Sequence, residues 1–78
     1  MALYFFDTID DGALIEDEIG LELADIRAVK EQAAISLAEL AHDVLPGSTR
    51  REMSVEARDE RQLVLRAQMN FEAVVLTA

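Results

Sequence analysis

The residues with the most chemical content cluster near the start of the chain, in Asp7-x-Ile9-x-Asp11-Gly12-x5-Glu18. This spacing overlaps the EF-hand calcium loop, which takes oxygen ligands at its positions 1, 3, 5, 7, 9 and 12 and a glycine at position 6. Asp7, Asp11, Gly12 and Glu18 fill positions 1, 5, 6 and 12. Ile9 and Ile15 stand where two further oxygens belong, and the flanking residues read as strands rather than helices. The same residues are explained by a hairpin turn with solvated acidic ends. Divalent-cation binding through Asp7, Asp11 and Glu18 is therefore the secondary expectation.

His42 is the single histidine. It falls in the last turns of a helical segment beside Glu39 and Asp43, where an imidazolium complements the helix C-terminus. A general base also needs a nucleophile and an orienting group within reach, and Ser36, Ser48 and Ser54 lack the context of an activated serine. The glycines, at 12, 20 and 47, do not form a phosphate-binding loop. Paired carboxylates are plentiful, but a single helix on a small sheet leaves little room for a substrate cleft. The expectation is a non-enzyme, with no catalytic residues, no cofactor and no identified small-molecule ligand.

Charge narrows the partners. Residues 1–45 hold eleven acids and two bases, whereas residues 46–78 hold five of each, for a net charge of −9. Such a field repels phosphate backbones and anionic lipid, so neither nucleic acid nor membrane is an expected partner. There is no cysteine to form a disulfide or a thiolate metal site. The first residues show no basic leader, and no apolar stretch approaches the ~20 residues of a membrane span. A cytoplasmic protein of bacterial type is expected.

These residues must be held by a single domain of 78 residues. Residues 2–9 are rich in aromatic and β-branched side chains and read as a strand. The Asp10-Asp11-Gly12 turn leads into a short return strand over 13–17, and 18–24 reads as a connection. A helix is predicted over 26–45, capped by Asp25 and stopped by Pro46-Gly47. Its apolar stripe is Ile26, Val29, Ala33, Leu37, Leu40 and Val44. Period-2 alternation predicts strands over 52–58 and 63–76. Both bury odd-numbered residues, so opposed pairs sum to an even number. A sum of 122 sets Glu56 against Arg66 and Val55 against Ala67. The expected fold is α+β, ordered β-β-α-β-β, with a four-stranded, largely antiparallel sheet and one long amphipathic helix packed on one face.

Tyr4-Phe5-Phe6-Asp7, the Asp11-Gly12 turn, Asp17, Gly20-x-Glu22-Leu23-x-Asp25 and the alanine-rich helix together resemble a family of short uncharacterised proteins of rhizobia and related proteobacteria that begin with a Tyr-Phe-Phe-Asp strand. Val55-x-x-Arg58-Asp59-Glu60 and Val64-Leu65-Arg66 also fit. The resemblance spans nearly the whole chain and implies an intact single domain without an assigned activity. Family members often turn between the last two strands with Asp-Gly. Asp59-Glu60-Arg61-Gln62 has no glycine, so this hairpin must close differently.

Leu3-Tyr4-Phe5-Phe6 points large side chains to both faces of the sheet, whereas one helix covers one face. Either Tyr4 and Phe6 or Leu3 and Phe5 must lie on the uncovered side. Val64 and Val74 also interrupt the polar face of the last strand. Tyr4, Phe6, Val64 and Val74 are therefore the candidate partner contacts of a small acidic interaction module. Its expected partner is a second copy or another protein.

Overall fold

The computed structural model describes residues 1–77. It is an α+β fold with an open antiparallel sheet and one helix packed against it. Strand β1 (Ala2–Asp10) turns at Asp11-Gly12 into β2 (Ala13–Ile15), and a short strand β3 (Leu21–Leu23) follows. Helix α1 (Ile26–Val44) continues into a single 3-10 turn (Leu45–Gly47). Strands β4 (Arg50–Arg58) and β5 (Leu63–Glu72) complete the sheet.

The spatial order is β2-β1-β4-β5, with β3 also paired to β1. β2 and β3 occupy the same side of β1, at its C-terminal and N-terminal ends respectively. β4 lies on its other side. The expected sum-of-122 register is observed, with Glu56 opposite Arg66 and Val55 opposite Ala67. A bulge at Ala57/Arg58 shifts the ladder beside the turn.

Local chemistry explains the boundaries. Asp11 and Gly12 both take positive φ, 51° and 86°, as the right-twisted two-residue hairpin turn requires. The Asp25 carboxylate accepts the Ala28 N–H at 2.9 Å and caps α1. Past the helix end, the Ser48 hydroxyl donates to the Val44 carbonyl at 2.6 Å. The hairpin between β4 and β5 closes without glycine because the Asp59 carboxylate accepts the N–H groups of Arg61 and Gln62, at 2.7 and 2.8 Å.

Four expectations are corrected. The return strand ends at Ile15 rather than 17, because Asp17 meets β1 through side-chain bonds, its carboxylate accepting the Phe6 N–H and its own N–H donating to the Asp7 carboxylate, instead of through a backbone ladder. The connection over 18–24 contains β3, whose Leu-Glu-Leu alternation is too short to stand out in the sequence. β4 begins at Arg50, two residues before the expected start. The last strand ends at Glu72 rather than 76. Glu72 faces Arg50, the first residue of β4, and beyond it only the Ala73 N–H reaches across, to the Thr49 carbonyl at 2.8 Å. Alternation continues in the sequence, but the partner strand has run out.

The core lies between α1 and the sheet: Val29, Ala33, Leu37 and Ala41 from the helix, and Met53, Val55 and Ala57 from β4. Phe6, Leu40, Val44, Leu65, Ala67 and Phe71 are half-buried around it. Ile26 shares the helical stripe but is 54% exposed, whereas Val29, three residues on, is fully buried.

Candidate functional site

Asp7 is the one buried polar residue among those described. It sits on the sheet face away from α1, on an odd-numbered position of β1, beside Arg58 of β4. Arg58 donates to the Asp7 carboxylate through Nε at 2.8 Å and through Nη2 to the Asp17 carbonyl at 3.0 Å. Its guanidinium also lies 4.5 Å from the centre of the Phe5 ring, a cation–π contact. The Asp17 N–H donates back to Asp7 at 2.9 Å.

Asp17 closes this knot at the sheet edge. Its carboxylate accepts the Phe6 N–H at 3.0 Å. That N–H falls in the gap between β2 and β3, so the side chain satisfies a backbone donor that no strand reaches. The same carboxylate accepts the Ile19 and Gly20 N–H groups, at 3.0 and 3.2 Å. Burial is the largest single influence on Asp17 and opposes its ionisation. The three N–H donors and the Arg58 charge outweigh it and hold the carboxyl below its ordinary value of 3.8. Gly20, at φ 80°, then passes so close that a Cβ there would meet Leu3 Cδ1 and Phe5 Cε1 at 3.0 Å.

The 16–20 loop therefore shelters the open-face aromatic. Leu3 and Phe5 project away from α1, whereas Phe6 packs against the helix-side core. By alternation Tyr4 shares the Phe6 side, opposite Leu21. All four residues are half-buried. Of the candidate contacts, Tyr4 and Phe6 thus sit on the helix side of β1, while Val64 lies at the far edge of the sheet and Val74 beyond the end of β5.

The carboxylates of the calcium-like spacing have separate partners. Asp7 binds Arg58 and the Asp17 N–H. Asp11 accepts the Glu52 N–H at 3.1 Å and anchors the turn to β4, and Glu18 is exposed. Among the described residues no group of three or more His, Cys, Asp or Glu is placed to hold a metal ion. A second two-point ion pair joins Arg51 to Asp10, both contacts at 2.7 Å, on the helix side of the sheet. The bond from Arg51 is the largest influence on Asp10 and, with the Arg51 charge, lowers its pKa against burial. His42 is exposed in a shallow depression with Ile35, Ala38, Glu39 and Asp43, all from α1. One helix face cannot enclose a substrate.

The sequence reading missed Asp17, Arg58 and Gly20 as a unit. The available signals were an isolated glycine amid acids and an arginine at the end of a half-buried strand. Neither reveals a partner forty residues away.

The opposite edge of the sheet has a different character. β5 is ten residues long and, among the described residues, has a strand only on its β4 side. It contains neither proline nor lysine, two common protections of an exposed edge. The β2/β3 edge, by contrast, is two three-residue strands interrupted by the Asp17 loop. Among the described residues no helix is long and apolar enough to cross a membrane.

Together these features define a small α+β domain whose sheet is knotted at one edge and open at the other. The chain belongs to the family named domain of unknown function DUF6894, which matches residues 3–70. No curated protein and no solved structure matches it.

Proposed function

We propose that this domain is a non-catalytic interaction module that acts by self-association. The observation that carries the reading is an excess of surface. The chain exposes 5682 Å², against about 4,700 Å² for a compact monomer of its 8.7 kDa mass. Its radius of gyration is 14.2 Å, against roughly 11.5 Å for a compact domain of this length. Residues 73–77, which lie beyond β5, contribute to both figures. The surplus, on the order of 1,000 Å², is comparable with the ~800 Å² that each partner buries in a standard protein interface. It includes exposed Leu63, Met69, Val74, Val75 and Leu76, which lie along β5 and its continuation.

The test is mass in solution. Light scattering coupled to size exclusion, across concentrations from micromolar to several hundred micromolar, is expected to show a species of twice 8.7 kDa. A mass that stays monomeric throughout refutes the proposal. The cation reading has less support, because Asp7 and Asp11 are already engaged within the fold. A shift of the melting temperature by millimolar calcium would revive it.

A further inference from the structure

We propose that two copies join through their β5 edges, antiparallel, about a two-fold axis at Met69, to form one continuous sheet. The inference rests on the self-association proposed above and specifies its surface and register.

The backbone sets the first constraint. The Ala73 N–H bonds to Thr49 of the β4 side. Hydrogen-bonding direction alternates along an antiparallel strand, so odd-numbered residues of β5 address β4 and even-numbered ones present N–H and C=O to the free edge. A second β5 must then pair even with even, and each pair must sum to an even number.

Side chains choose among those registers. A sum of 138 sets Arg66 opposite Glu72 of the second copy. Within one chain Glu56 already pairs with Arg66 at 2.7 Å, and Arg50 stands opposite Glu72. The seam would therefore complete a row of alternating charge on the open face: Glu56, Arg66, then Glu72 and Arg50 of the second copy. The same register sets Val64 against Val74, bringing together the two valines that interrupt the polar face. It also aligns Met53 and Met69, already cross-strand partners, with Met69 and Met53 of the second copy on the helix face. Met69 is 36% exposed and Met53 only 1%, so the seam would cover the apolar residue left at the edge. A sum of 136 puts Glu72 against Val64, and 140 puts Arg66 against Val74. Neither opposes unlike charges.

The helices fit as well. α1 lies over β4 and β5. With strands about 4.8 Å apart, the two helices would stand about 10 Å apart, an ordinary helix-packing separation.

The experiment uses R66E and E72R, each alone and mixed, with folding followed by circular dichroism. Each variant alone opposes like charges twice at the seam, so its dimer is expected to weaken on the order of tenfold. In the mixture, the R66E copy carries acids at both positions and the E72R copy carries bases at both. Both facing pairs are then of unlike charge, and a heterodimer is expected at near wild-type concentration. Gln68→Pro supplies a readout independent of charge. It removes one outward N–H without touching the β4 ladder, and is expected to give a folded monomer. A monomeric wild type overturns both this inference and the reading beneath it. A dimeric wild type whose mixed variants do not pair preferentially, or whose folded Gln68→Pro form stays dimeric, overturns the β5 seam and leaves self-association standing. A peptide of another protein bound at β5 while wild type stays monomeric also overturns it.

Discussion

Val29 and Ile26 lie on the same helical stripe one turn apart, yet the fold gives them opposite weights. Val29 is fully buried and Ile26 is 54% exposed. Truncating Val29 to alanine removes two methyl groups from the core, about 1.6 kcal/mol of transfer free energy at 0.8 kcal/mol per carbon. The unfilled space adds roughly 1 kcal/mol. Alanine's higher helix propensity returns about 0.5 kcal/mol. The expected net loss is about 2 kcal/mol. Ile26→Ala removes three carbons that are only half withdrawn from water, about 1.2 kcal/mol. The same helix-propensity gain leaves less than about 1 kcal/mol. Urea unfolding at fixed protein concentration, so that association does not shift the midpoint, compares the two. With a slope near 1 kcal/mol per molar urea for a domain this small, Val29→Ala should move the midpoint down by about 2 M and Ile26→Ala by less than half that. Equal losses would show that Ile26 is packed as firmly as Val29, and the placement of the core would be wrong.

Two further predictions concern the sheet edge. Gly12 and Gly20 both have positive φ, but a Cβ at Gly12 meets nothing within 4 Å, whereas one at Gly20 meets Leu3, Phe5 and the Tyr4 carbonyl. Gly12→Ala should cost about 1 kcal/mol for backbone strain alone and Gly20→Ala clearly more, with equal thermal midpoints refuting the close approach. Asp17 has a folded pKa below its ordinary value of 3.8. Its ionised form therefore stabilises the fold above about pH 4, and that contribution is lost as pH falls through the lower folded value. Asp17→Asn should have a lower melting temperature at pH 6 and a shallower decline between pH 5 and 3. An unchanged decline would separate Asp17 from acid sensitivity.

Much of this fold is local and was readable directly. The Asp25 cap, the Asp11-Gly12 turn and the α1 stripe each depend on residues within a few positions of one another. The β4–β5 register was also readable, because side-chain parity and the Glu56–Arg66 pair restrict a hairpin whose strands are neighbours in sequence. Tertiary structure decided what depends on distant chain. β5 stops at Glu72 because β4 begins at Arg50. Ile26 is exposed although Val29, three residues on along the same stripe, is fully buried. Phe5 is sheltered because Asp17, Arg58 and Gly20 converge on it from different segments. Periodicity tells which way a side chain points, whereas burial depends on what the rest of the chain places in front of it.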